Sequence, residues 1–154
     1  MEVVSLDWRR FPIEEDGFLP KDLPKSSGVY AFQGCHDSCP SFGVLYIGRA
    51  QVLADRVRDS LCERIFWKNG ARYELYSDVW HATLHYAELE FKQLKRVEDA
   101  LIASHAPAFN NTGTRGAMLS NIDDLRNLLV LNCGRKGALL PTVFGGYYVD
   151  ELWP

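Results

Sequence analysis

The sequence predicts a mixed α/β domain of the α+β kind, and three observations carry that expectation. Two short β-type runs, Val29-Tyr30-Ala31-Phe32 and Val44-Leu45-Tyr46-Ile47, are set off by glycines. The apolar spacing then changes to four, at Leu53, Val57, Leu61 and Ile65, which is the stripe of a helix. A second helical pattern runs from Glu88 to about His105, with Phe91, Leu94, Leu101 and Ile102 on its inner face and Pro107 as its stop.

In chain order, residues 1 to 27 read as a lead-in rich in turn formers, with Pro12, Gly17, Pro20 and Pro24. The first strand follows. Residues 34 to 43 read as a loop, so the two strands are expected to pair as an antiparallel hairpin with a long connection. A helix is expected from Gln51 to about Trp67. Residues 69 to 87 mix strand and turn signals, and Trp80 to Tyr86 is the expected third strand. After the Glu88–His105 helix, Asn110 and Asn111 lie in a loop. A last helix is expected from about Asn121 to Asn132, stopped by Gly134, and an apolar run from Leu139 to Val149 reads as an extra strand.

At 154 residues the chain is expected to form a single domain with a genuine core. Its composition, 47% hydrophobic and 24% charged, suits a globular protein. Glu2, Asp7, Arg9 and Arg10 interrupt any apolar run at the start, and no stretch approaches the roughly 20 apolar residues of a membrane span. A cytoplasmic protein with no membrane partner is the expectation. The net charge of −3 argues mildly against a general nucleic-acid coat. Between Arg49 and Arg72, however, six basic residues face three acidic ones, and a local basic face suits transient contact with phosphate. Cys35 and Cys39 have the spacing of half a zinc site, but no second Cys/His pair follows, so free thiols are the expectation for them.

Glu98 occupies a slot where the helical pattern calls for an apolar residue, four after Leu94 and seven after Phe91. A carboxylate there costs several kcal/mol unless donors or a cation meet it. It is either satisfied by an arginine or holds a hard divalent cation, which prefers oxygen ligands and keeps most of its waters. Asp99 falls on the opposite side, four residues after Lys95, as an ordinary surface pair. Arg56 lies at the edge of the first helical stripe, as a solvated charge or as a donor to phosphate. Arg49 is expected at the start of that helix, where anions are favoured. Tyr30 and Tyr46 are strand tyrosines, usually packing residues. With an ordinary pKa near 10, a tyrosine is a poor base unless cations make its phenolate accessible. Gly28 and Gly48 either bound the strands or allow close backbone approach.

In this order and spacing the residues resemble the GIY-YIG endonuclease family. Gly28-Val29-Tyr30 matches the first half of the namesake motif, with valine for isoleucine, and Tyr46-Ile47-Gly48 matches the second half. Leu23 to Ser27 approaches the first motif in the family's manner. Arg49 stands where members carry lysine or arginine, and Arg56, ten residues after Tyr46, on the catalytic arginine. Glu98 matches the metal-binding glutamate, and Asn110 the asparagine that closes the module. The resemblance covers about 23–111, leaving 1–22 as a lead-in and 112–154 as a C-terminal extension. It departs in three places: the interval between the tyrosines is lengthened by residues 34 to 43, Ser60 stands where several members carry histidine or tyrosine, and no appended DNA-recognition module is identifiable. His81, His85 or Tyr86 are the spatial substitutes for the missing group.

The resemblance implies a central three-stranded antiparallel sheet flanked by helices. It also implies hydrolysis of DNA phosphodiesters by in-line water attack, leaving a 5′-phosphate and a 3′-hydroxyl. Glu98 would hold a single Mg²⁺ or Mn²⁺ and Arg56 would stabilise the developing charge. Tyr30 would be the general base, tuned by Arg49, with Tyr46 orienting water or phosphate and Asn110 tying the end of the module to the site. The alternative is a catalytically silent nucleic-acid-binding or regulatory module on the same scaffold, supported by the acidic net charge and Ser60. A third reading is a plain interaction domain with Glu98 and Arg56 as a buried ion pair.

Overall fold

A computed structural model describes residues 1–12, 23–36, 39–60, 80–107, 109–110 and 122–146. Among these, the elements are β1 (Glu2–Pro12), β2 (Gly28–His36), β3 (Cys39–Ala50), α1 (Leu53–Ser60), β4 (Trp80–Glu88), a 3-10 turn (Phe91–Gln93), α2 (Leu94–His105), α3 (Ile122–Arg126), β5 (Leu128–Gly134) and β6 (Thr142–Phe144). The class is α+β. The sheet has six strands rather than three, in the order β3-β2-β4-β1-β5-β6. The three strands expected from sequence are neighbours in it and all antiparallel.

The largest correction concerns the first residues. Glu2–Pro12 is an inner strand and not a turn-rich lead-in, antiparallel to β4 and parallel to β5 from Glu2↔Leu128 to Trp8↔Gly134. Val4, Leu6 and Trp8 are buried while Val3, Ser5 and Asp7 face out, so the period of two is present in the sequence. The hairpin also differs. Gly34 pairs with Gly43 and His36 with Cys39, and the register steps past Leu45 as a β-bulge. The interval between the tyrosines therefore lengthens two strands instead of a loop.

At the C-terminal end, the helix expected over 121–132 stops after Arg126, and Leu128–Gly134 is a strand. Four consecutive aliphatic residues, Leu128 to Leu131, fit an inner strand better than a one-sided helix. β6 falls within the expected closing apolar run. The Glu88 helix begins later than expected: β4 continues to Glu88, and α2 starts at Leu94 and ends at Ala106, whose φ of 42° is left-handed. Helix α1 follows the expected stripe, with Leu53 and Val57 fully buried. Residues 61–79, Asn111, 112–121 and 147–154 lie outside the described residues, and with them Leu61, Ile65, Cys62 and the basic residues Arg64, Lys68 and Arg72. No helix among the described residues is long and apolar enough to cross a membrane.

Two cores hold the sheet. On one face, Val4, Leu6, Trp8, Val29, Ala31, Ile47, Leu128, Val130 and Val143 pack with Leu94, Val97, Ala100 and Leu101 of α2. On the other, Tyr30, Phe32, Leu84 and Tyr86 pack with Leu53 and Val57 of α1. Full burial of each aliphatic side chain contributes about 1.5–3 kcal/mol. Polar residues then fix the 135–140 loop over the first face. Gln33 Nε2 donates to Lys136 O (2.9 Å), and Ala138 N–H donates to Gln33 Oε1 (2.7 Å). Asn132 takes a bond from Trp8 Nε1 (2.8 Å) and gives one to Leu140 O (2.7 Å).

Candidate functional site

A cleft of about 850 Å³ opens at the sheet edge formed by β3, between α1 and the start of α2. Tyr30, Tyr46, Arg49, Arg56 and Glu98 all line it. They come from β2, β3, α1 and α2, so chain segments far apart in sequence converge at one place. Asp55, Phe91, Lys92 and Lys95 line it as well, and sequence reasoning assigned none of these to the site. Phe91 is 64% exposed at the cleft rim instead of forming part of the helix's inner face, because helix α2 starts three residues after it. The signal for Lys95 was present: it stands three residues before Glu98, on the same helical face.

The two tyrosines are placed by strand geometry. Tyr30 pairs with Gly48 across β2 and β3 and with Tyr86 across β2 and β4. Its ring covers Gly48 so closely that a Cβ there would lie 2.5 Å from both Cζ and the hydroxyl oxygen. Gly48 is therefore the space into which the Tyr30 phenol fits. Gly28 has a similar role, since a Cβ there would strike the Ala87 carbonyl and Leu53. The Tyr46 ring is tilted against Tyr30, with centroids 6.1 Å apart and 36° between planes. Tyr30 is buried and Tyr46 half-buried, so the pair forms one wall of the cleft.

Glu98 forms the opposite wall. Its Oε2 forms an ion pair with Arg49 Nε at 3.1 Å, with 18% of the Glu98 side chain exposed and 42% of that of Arg49. The partner of the carboxylate is thus Arg49, not Arg56 as in the ion pair considered above. Burial pushes the Glu98 carboxyl up from 4.5 to about 7, against the opposing charge of Arg49; Asp99 adds to the rise, while Lys95 and Arg56 oppose it. Asp99 does bond Lys95 at 2.8 Å, but it is buried rather than on the surface, and burial raises its carboxyl too.

Arg49 is a residue of β3 and does not start the helix. The N-terminus of α1 is moreover occupied from within: Leu53 N–H donates to Ser26 O (2.9 Å) and Ala54 N–H to Pro24 O (3.0 Å). The helix-end anion site expected there is closed by the Leu23–Ser27 approach segment. Arg56, in the first turns of α1, is exposed and lines the cleft.

Asn110 is not among the lining residues. Its Oδ1 accepts from Ile47 N–H (2.9 Å) and its Nδ2 donates to Ile47 O (2.8 Å), which clasps the chain after α2 to β3 between Tyr46 and Gly48. Ser60 ends α1. Of the residues considered as its substitutes, none lines the cleft. His85 sits on the α2 face of the sheet, where its Nδ1–H donates to Arg135 O (2.6 Å), its Nε2 meets Thr83 Oγ1 (2.9 Å), and burial lowers its pKa. Cys35 is a buried free thiol.

Among the described residues no group of three or more His, Cys, Asp or Glu could cage a metal ion. The donor set suits a different mode of binding. One carboxylate on the wall of a cleft can hold a hard divalent cation whose other ligands are waters and substrate oxygens. Glu98 is the residue that fits. Comparison of the chain with protein-family models, with curated proteins and with solved structures gives no match.

Proposed function

We propose that this protein is a divalent-metal-dependent endonuclease that hydrolyses DNA phosphodiesters, with the cleft between α1 and α2 as its active site. The observation that carries the proposal is the convergence of Tyr30, Tyr46, Arg49, Arg56 and Glu98 on one cleft. A carboxylate, two guanidinium groups and two phenols in one basin are the chemistry that phosphodiester hydrolysis requires.

Glu98 would hold a single Mg²⁺ or Mn²⁺, which when bound supplies Lewis-acid stabilisation to the scissile phosphate and leaving oxygen. Arg56 binds the phosphate and stabilises the charge that grows on it in the transition state. Arg49 neutralises Glu98 and brings its positive charge to the cleft that the two phenols line. Tyr30, fixed over Gly48, would act as its phenolate and become the neutral phenol by taking the proton of the attacking water, and Tyr46 would orient that water or the phosphate. Asn110 acts at a distance by holding the strand segment that carries Tyr46 and Gly48. The products are a 5′-phosphate and a 3′-hydroxyl.

A cleavage panel of plain duplex, flap, junction and single-stranded DNA with Mg²⁺ or Mn²⁺ tests the proposal. Turnover of at least one substrate that disappears in Glu98→Gln supports it. Failure to nick any of them removes it. One observation favours a second reading, a binding module without turnover: Arg49 already engages the carboxylate at 3.1 Å. Such a module binds DNA equally with and without Mg²⁺ and is indifferent to Glu98→Gln.

A further inference from the structure

A second cleft, of about 470 Å³, is lined by Arg10, Phe42, His85, Arg135 and Gly137. None of these residues lines the cleft between the helices. Val4, Leu6 and Trp8 face the α2 core at alternate positions of β1, and Arg10 is the next position in that series. The strand continues past the apolar core there, and the slot that follows Trp8 is filled by an exposed guanidinium.

Arg135 is brought to the same place by its own backbone. Its N–H donates to Trp8 O at 2.8 Å, two residues before Arg10, and its carbonyl receives the His85 ring. His85 pairs directly with Arg10 across β1 and β4. Its lowered pKa keeps it neutral near pH 7, so it fixes the floor without adding charge. Gly137, at φ 60°, passes the ring so closely that a Cβ would lie 2.9 Å from His85 Cε1. Phe42, on β3, is 45% exposed. Neither Arg10 nor Arg135 has an acidic partner among the described residues.

We infer that this second cleft binds one nucleotide unit of a single-stranded nucleic acid, with Arg10 and Arg135 on the phosphate and Phe42 under the base. Two guanidinium groups at one cleft, with no acidic partner among the described residues and on a protein of net charge −3, form a local site for a doubly hydrogen-bonded anion. An exposed aromatic ring beside them adds a surface on which any base can stack, so the site is tolerant of sequence. A duplex keeps its bases stacked inside and cannot use Phe42. The preferred ligand is therefore an unpaired strand.

The test is fluorescence anisotropy with a labelled oligothymidylate of about ten nucleotides, in chelator, so that no cleavage occurs. Arg10→Ala and Arg135→Ala are each expected to weaken binding about 3- to 10-fold and to reduce the salt slope by about 1. Phe42→Ala is expected to weaken it about 5-fold or more. The double arginine variant binding as tightly as the parent overturns the inference. So does loss of binding in Arg56→Ala alone, which moves the strand to the other cleft. If the arginine variants weaken competition by inorganic phosphate while Phe42→Ala changes nothing, the cleft takes free phosphate only and the nucleotide assignment falls. Cleavage has no part in these readouts, so the two sites stand or fall separately.

Discussion

The sheet has two halves that differ in what their side chains do. In β3, β2 and β4, tyrosines and an arginine project toward a cleft, two glycines hold open space for other groups, and the edge strand is interrupted by a bulge. In β1, β5 and β6, alternate residues are aliphatic and buried, and polar groups such as Asn132 are consumed by internal bonds. The helix that carries Glu98 packs on both halves, since Val97, Ala100 and Leu101 belong to one buried cluster with Leu6 and Val130 as well as Ala31 and Ile47. The difference teaches that one half supplies polar groups to the cleft while the other helps to fix the helix that presents Glu98 there.

The sharpest way to break this comparison is Glu98→Gln. It should abolish cleavage in a metal-supplemented assay while the far-ultraviolet circular dichroism stays unchanged. Because burial raises the Glu98 carboxyl to about 7, the native group is protonated in the folded state but ionised in the unfolded state between 4.5 and 7. Native stability is therefore fullest below 4.5 and falls as the pH rises through about 7. In chelator, Glu98→Gln should be the more stable protein above pH 7, by up to about 3 kcal/mol, with the gain gone below 4.5. Denaturant titrations at several pH values check the sign; a variant less stable at high pH refutes it. With metal, native cleavage should rise with pH and level off above about 7.

Arg56→Ala should lower the rate by about 10²–10³-fold in single-turnover assays, as for loss of one transition-state donor. A drop below threefold would remove Arg56 from the chemistry. In the other half, Leu6→Ala, fully buried against α2, should cost about 2–5 kcal/mol in urea unfolding yet leave the rate per folded molecule unaltered. If it lowers the rate at full folding, the division into halves is wrong. Gly48→Ala should cost about 1–3 kcal/mol and displace Tyr30, visible as changed tyrosine fluorescence. The smallest effect belongs to Glu2→Gln, which removes a surface ion pair with Arg96 and should leave the thermal midpoint near its native value. Its carboxyl is held down to about 2 by Arg96, so any contribution is present above 4.5 and lost as pH falls toward 2.

How much was legible in the sequence follows the same division. Val29–Phe32 and Val44–Ile47 announced themselves through flanking glycines, and Leu53 and Val57 through helical spacing, because each signal is local. The convergence of Tyr30, Tyr46, Arg49, Arg56 and Glu98 depended on order and spacing across about 70 residues, which one local window cannot supply. What was not legible rests on partners. The alternation of Val4, Leu6 and Trp8 was hidden by charges between them, since Asp7 and Arg9 on an outward face resemble a polar leader. Leu128 to Leu131 lacks a period, so its preference for a strand is weak until β1 is seen beside it. The choice of Arg49 over Arg56 as the Glu98 partner depends on where β3 lies beside α2, and no spacing encodes that.

The parallel pairing of Glu2–Trp8 with Leu128–Gly134 joins the two ends of the described chain at the middle of the sheet. On a ribosome, β1 emerges well over a hundred residues before β5 and must wait for it before both its hydrogen-bonding edges are filled. Pairing between such distant segments makes folding slow and leaves a sticky edge exposed meanwhile. The antiparallel β2–β3 ribbon can close early on its own contacts. The pairing of β1 with β5 thus belongs to the late steps of the sheet's assembly.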